Sequence, residues 1–215
     1  MSDQTTEGVI KYQLNHLSKP LSSPPIQTLN RWRSLLKKLE MIGQVPNRYQ
    51  GYGFGNLSQR LATFTTTHNP NCFLITGTQT GALAHLSSAD YALVTKAHPA
   101  QNQLTAEGLS APSSEALSHA VIYQTLPHIN FVFHVHCPTI WQLSQQLAIP
   151  CIPASLAYGT PAMATAIANI INNKQVQTKG IISMLGHEDG LISFGETADK
   201  AGWPLIHYWL LADNG

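Results

Sequence analysis

The stretch Asn130-Phe131-Val132-Phe133-His134-Val135-His136-Cys137-Pro138 decides how the rest of the chain is read. It is β-branched and aromatic, so it reads as a strand. Strand side chains alternate between faces, which puts Phe131, Phe133 and Val135 on one face and Val132, His134 and His136 on the other. Two imidazoles side by side on one face can grip one metal ion. The ordinary alternative is a pair of buried histidines satisfied by hydrogen bonds. The hydrolase pattern H-x-H-x-D-H is absent, because Cys137 and Pro138 follow His136.

Outward from this strand the chain alternates strands and helices, which places it in the α/β or α+β class. Residues 1–25 are polar, end in Ser22-Ser23-Pro24-Pro25 and read as an N-terminal arm, and residues 26–215 read as a single domain. Leu29, Trp32, Leu35, Leu36 and Leu39 recur at helical spacing, with Arg31, Arg33, Lys37 and Lys38 between them and Gly43 as a stop. The glycine-rich Gly51-Tyr52-Gly53-Phe54-Gly55 leads into an extended stretch to Thr67, and Asn69-Pro70-Asn71 is a turn signal. Strands are expected over residues 72–76, 91–95, 180–185 and 191–194. Helices are expected over 112–126, with a serine cap and Glu115 in the first turn, over 138–147, from Thr160-Pro161 onward, and from Glu196 through Ile206, Trp209 and Leu210.

Composition narrows the function classes. Charged residues are 11% of the chain and the formal net charge is +1, so nothing favours a nucleic-acid or membrane-surface partner. Three cysteines (Cys72, Cys137, Cys151) without framework spacing suit a reducing compartment. The N-terminus lacks a signal-peptide core and no apolar stretch is long enough to span a bilayer, so a cytoplasmic protein is expected. Ten histidines are many for 215 residues.

A catalytic zinc site wants three protein ligands and an open position. Glu115 is the best carboxylate, at the start of the helix that feeds the histidine strand. Its ordinary reading is an acid favoured by the helix dipole. His187 is the best third nitrogen, in a glycine-flanked loop where an apolar strand ends. His119, one turn after Glu115, is a candidate supporting residue; His68, His85, His98 and His207 are weaker.

Read in order, Gly55-Asn56-Leu57-Ser58, the loop from Ile75-Thr76 through Gly81, Pro112-Ser113-Ser114-Glu115, His134-Val135-His136 and His187 before Gly190 resemble the class II aldolase/adducin family. That family includes fuculose-phosphate aldolase, ribulose-phosphate 4-epimerase and methylthioribulose-phosphate dehydratase. The resemblance covers roughly residues 28–212. It implies a three-layer α/β/α sandwich on a mostly antiparallel sheet, and a homotetramer with sites between subunits. It implies His134, His136 and His187 as ligands of one divalent metal per subunit, usually zinc. Glu115 would be the acid/base. Asn56, Ser58, Thr76, Gly77, Gly81, Ser113 and Ser114 would cradle a substrate phosphate, and hydroxyls and free N–H groups at a helix start do suit an anion.

The implied activity is a metal-dependent, aldolase-type lyase acting on a small hydroxy-carbonyl compound, a sugar phosphate, through a metal-stabilised enediolate. An epimerase or dehydratase would share that intermediate, and the family also contains non-catalytic, adducin-like binding modules. Several features depart from the family pattern. Glu188-Asp189 follow His187 where the family has glycine at once, which makes either acid a further candidate ligand. The Thr76–Gly81 loop is longer than usual. The stretch between Pro138 and Pro153 is short, leaving Tyr158 as the nearby tyrosine for a leaving-side acid. A C-terminal tail closing over substrate is expected to be missing.

Overall fold

The histidine strand runs through the interior of a nine-stranded sheet, flanked on both sides by antiparallel neighbours. The computed structural model describes residues 9–61 and 71–213. Its elements are β1 (Gln13–Leu17), α1 (Gln27–Lys38), β2 (Gly43–Gln44), β3 (Gly53–Phe54), β4 (Asn56–Arg60), β5 (Phe73–Thr76), β6 (Tyr91–His98), β7 (Gln103–Glu107), α2 (Ala116–Thr125), β8 (Phe131–His136), α3 (Pro138–Gln142), β9 (Cys151–Ile152), α4 (Pro161–Ile171), α5 (Lys174–Lys179), β10 (Ile181–Met184), β11 (Gly190–Gly195) and α6 (Ala198–Asp213).

The large sheet has the order β1-β7-β6-β5-β4-β8-β11-β10-β9. Every pairing is antiparallel except at the two edges, where β1 runs parallel to β7 and β9 parallel to β10. β2 and β3 form a separate two-stranded ribbon.

Two apolar layers cover the two faces. On one, Val132, Ile75, Ile182 and Ile192 pack under α2 and α4 through Ala120, Val121, Met163 and Ile167. On the other, Phe133, Val135, Leu57, Leu74 and Leu191 pack under α1, α3 and α6 through Leu29, Leu36, Ile140, Ala201 and Leu205. The chain is thus an α/β/α sandwich on a mostly antiparallel sheet. The alternation along β8 is the one its sequence dictates: Val132 goes to the first layer, Phe133 and Val135 to the second.

Several local expectations change. α1 ends at Lys38, before Gly43, because Glu40 turns left-handed (φ 56°) and Met41 N–H bonds back to Leu36 O at 2.9 Å. Arg33, which the helical pattern puts among the outward charges, is 2% exposed and donates to the carbonyls of Thr80 and Leu83, both at 2.8 Å. The helix after Pro138 is one short turn rather than an element reaching Leu147. Glu115 is the N-cap of α2 rather than a residue of its first turn, and no side chain caps that end. The residues read as an arm include β1, whose five residues pair in parallel with β7. The extended stretch begins as β4, while its continuation over residues 62–67, His68 and Asn69-Pro70 of the turn lie outside the described residues. Cys72, Cys137 and Cys151 are free thiols. No described helix is long and apolar enough to cross a membrane.

Candidate metal centre

His134, His136 and His187 converge, each offering a ring nitrogen within 4.8 Å of the others, and all three are buried. The strand supplies the first two, at spacing two on one face. The third comes from the turn between β10 and β11, and Gly190 makes its approach possible. Gly190 is the cross-strand partner of His136. A Cβ there would stand 3.0 Å from the His187 ring carbon Cγ, close enough that the ring would have to shift by a few tenths of an ångström. Glycine opposite His136 therefore leaves the space that the His187 ring fills.

The rings are held from behind. His134 Nδ1 lies 3.0 Å from Leu191 O, which makes Nδ1 the protonated nitrogen and leaves Nε2 with its lone pair. Nε2 of His134 and Nε2 of His136 are 3.1 Å apart. Burial holds His136 well below the usual imidazole range, helped by His187, His134 and the Arg48 charge and opposed by a hydrogen bond with the Glu188 backbone. A neutral imidazole is the form that ligates. His187 is stacked between His134 (centroids 4.9 Å, planes at 28°) and Tyr158 (4.3 Å, 16°).

Asp189 does not join this set. Its Oδ2 accepts from Tyr49 O–H at 2.6 Å and lies 3.9 Å from Arg48 Nη2. Glu188 is exposed. Among the described residues, the group whose ligand atoms close on one another is the three histidines. His85, His98 and His207 are exposed.

Glu115 arrives through a register between α2 and β4. His119 Nδ1 is 2.7 Å from Ser58 Oγ, which is also 2.7 Å from Tyr123 Oη. Arg60 donates to Tyr123 O at 2.6 Å and its guanidinium lies 4.8 Å over the Tyr123 ring. Four helical residues rise about 6 Å and two strand residues nearly the same, so the stripe Glu115, His119, Tyr123 runs along the stripe Asn56, Ser58, Arg60. One turn before His119, Glu115 falls at the level of Asn56, and Asn56 is the cross-strand partner of His134. The Glu115 side chain is 1% exposed, and Oε2 accepts from Ser118 O–H at 2.7 Å. Tyr12 is close enough for the Glu115 charge to add to burial in pushing its phenol well up.

The expected phosphate cradle divides. Ser58 is fully buried between His119 and Tyr123, which gives its hydroxyl no face toward a ligand. The Gly77 N–H is taken by Asp90 O at 2.7 Å. Gly81 O accepts from Lys37 Nζ at 2.5 Å. Thr76 Oγ1 accepts from Leu57 N–H at 3.2 Å, and Thr76 O accepts from Ser113 N–H at 3.3 Å, which ties the Thr76 loop to the Ser113-Ser114 turn. Asn56 Oδ1 is buried with no hydrogen-bond partner among the described residues.

Arg48, Tyr49 and Lys11 were invisible to motif reading. Arg48 and Tyr49 lie beside the glycine-rich run, and Tyr49 meets His136 edge-on at 4.7 Å. A tyrosine and an arginine next to a strained turn were the available signal: Tyr49, Gln50 and Gly51 all have positive φ.

Comparisons with known proteins identify the family. The chain is 32% identical over 108 residues to L-fuculose phosphate aldolase of Haemophilus influenzae, a match taking in 43% of this chain and 46% of that protein, less than half its length. A sugar-phosphate aldolase structure from Thermotoga maritima superposes with a TM-score of 0.62 at 14% identity, over 88% of this chain and 92% of that one. The N-terminal class II aldolase domain of a Thermoplasma acidophilum protein superposes with a TM-score of 0.58 at 17% identity, over 92% and 96%. The sequence pattern of the class II aldolase and adducin N-terminal domain matches residues 46–212, most of the chain, and the protein belongs to that family.

Proposed function

We propose that the protein is a divalent-metal-dependent lyase of the aldolase type, acting on a small hydroxy-carbonyl compound that carries a phosphate. The observation that carries this reading is the convergence of three buried imidazoles; the cross-strand pairing of His134 with Asn56 and the packing of His119 on Ser58 support placing Glu115 at the same end of the α2–β4 seam. The donor set fits a metal. Nε2 of His134 faces Nε2 of His136 at 3.1 Å, and with His134 Nδ1 committed to a carbonyl, two nitrogens this close need a cation or a shared proton between them. His134, His136 and His187 would hold the ion, and all-imidazole donation suits zinc among other divalent metals. When bound, the ion supplies Lewis-acid polarisation of a substrate carbonyl.

The chain's own groups do the rest. Glu115 carries a proton to or from the carbon beside the substrate carbonyl, and Ser118 fixes its orientation through Oε2. Asn56, with its buried Oδ1, hydrogen-bonds a substrate hydroxyl. Thr76, Ser113 and Ser114 take the phosphate where the Thr76 loop meets the start of α2. The apolar layer under α2, with Ile122 and Val132 fully buried beside the seam, keeps bulk water from it.

The test is elemental analysis of the purified protein, followed by a panel of sugar phosphates. One equivalent of zinc, lost in His134→Ala, with cleavage of a ketose phosphate abolished in Glu115→Gln while metal is retained, supports the lyase. Turnover of the same panel without carbon–carbon cleavage would replace it with an epimerase or dehydratase. A native protein that binds no divalent metal leaves the adducin-like binding module.

A further inference from the structure

Of the three imidazoles, two are fixed by the sheet and one is not. His134 and His136 belong to β8, in the sheet interior. His187 sits in a turn, and its ring is packed by His134 on one face, Tyr158 on the other and His136 edge-on at 4.8 Å, so Tyr158 is the one of the three that the sheet does not hold. Tyr158 is itself a loop residue, between β9 and α4. The face of its ring away from His187 is covered by Lys11, whose Nζ stands 3.6 Å from the ring centroid. The same Nζ donates to Tyr158 O at 3.2 Å, so one side chain grips both the ring and the backbone of that residue.

The surrounding chain is built around this contact. Gly159 has φ +69°, and a Cβ there would meet the Lys11 side chain at 2.9 Å, so glycine lets the lysine lie against the backbone. Lys11 is anchored from the other direction: Asn102 Nδ2 donates to Lys11 O at 2.9 Å and Gln13 N–H donates to Asn102 O at 2.8 Å. The next residue, Tyr12, donates to the carbonyls of Pro112 and Ser113 at 3.1 and 2.9 Å, in the turn that leads to Glu115. Lys11 and Tyr12 thus touch both walls of the site, and both lie outside residues 46–212, the part the family pattern covers.

We propose that Lys11 is a positioning residue of the candidate metal centre, acting through Tyr158 to hold the His187 ring in its ligating orientation. The segment ahead of β1 is therefore part of the site. This rests on His187 being a ligand, as proposed above.

The test uses the full chain loaded with cobalt(II), whose visible d–d absorption reports ligand number and symmetry, alongside circular dichroism for the fold. Lys11→Met is expected to bind cobalt about tenfold more weakly than the unaltered protein, as losing a support for a ligand does, with altered d–d bands. Lys11→Arg, which keeps a cation over the ring, is expected to restore both. Tyr158→Leu is expected to give the same loss, and Lys11→Met added to it to cost little more, since the lysine acts through the ring. Should Lys11→Met fail to fold, Tyr158→Leu carries the same expectation. Cobalt affinity and bands unchanged in a folded Lys11→Met, with only its melting temperature lowered, overturn the proposal and leave the histidine reading intact. Equal cobalt binding by the unaltered protein and His134→Ala brings down that reading first, and this one with it.

Discussion

The phenol of Tyr49 donates to Asp189 Oδ2 at 2.6 Å, while its own oxygen accepts from Arg48 Nη2 at 2.7 Å. Burial first, then the bond to Asp189, pushes the Tyr49 phenol well up, so it stays protonated and available as a donor. The arrangement engages Oδ2 of the acid two residues after His187 and ties the turn to the segment before the glycine-rich run. Asp189→Asn is therefore expected to retain its metal equivalent, whereas His187→Ala loses it, by elemental analysis. Loss of metal from Asp189→Asn at unchanged fold would make the carboxylate a ligand after all.

His119 is fully buried, and burial, with a smaller contribution from His134, holds its imidazole well below the usual 6.5. The folded protein thus keeps it neutral at a pH where the unfolded chain takes up a proton. Below about pH 6.5 the unfolded state binds more protons, so stability falls with falling pH, by up to about 1.4 kcal/mol per pH unit for one such group. Above the unfolded value the contribution is fully present and flat. Urea unfolding of the metal-free protein across that range is expected to show this slope, and His119→Gln to reduce it by about one proton. An identical slope in both proteins would mean that His119 is charged in the fold.

How much of this was legible depends on whether a residue's partner is near in sequence or distant. The alternation of β8 is local, so both faces could be read from Phe131 to His136, and the turn position of His187 marked it as the third nitrogen. Glu115 was found by residue type and place, but its role as the end of a polar stripe was not, because Asn56, Ser58 and Arg60 align with it only once β4 and α2 are packed. Arg33 was read as surface charge and Arg60 drew no reading; both are buried, and each donates to carbonyls of another segment. β1, Gln13-Leu14-Asn15-His16-Leu17, has no clean polar–apolar alternation to mark it, and it becomes a strand because β7 offers an edge.

Metal binding at a site made only in the native state adds stability by mass action. Zinc at a free concentration one hundred times its dissociation constant is expected to stabilise the protein by about 2.7 kcal/mol. The measurement is urea unfolding with zinc and with a chelator. His134→Ala is expected to show no difference between the two. A zinc-dependent gain that survives in His134→Ala would place the ion elsewhere.

Arg60 closes the far end of the seam and supports α2 where the helix stops. Its Nε donates to Ile129 O at 2.8 Å and its Nη2 to Tyr123 O at 2.6 Å and Leu126 O at 3.3 Å, carbonyls at or beyond the last turn of α2 that the helix itself cannot satisfy. Burial lowers its basicity, yet a guanidinium stays charged, so these are charge-assisted bonds in a largely dry setting. Arg60→Met keeps much of the packing volume but takes the guanidinium from Tyr123 O and Ile129 O, while Leu126 O keeps the Ile129 N–H at 3.0 Å, at about 1–3 kcal/mol for each buried group left unpaired. A loss of about 2–4 kcal/mol in urea unfolding is expected, with faster amide exchange at the end of α2 than at its start. Because the defect lies two turns from Glu115, metal affinity should be unchanged. A variant as stable as the unaltered protein would show that water satisfies those carbonyls and that the α2–β4 register is held by His119 and Ser58 instead.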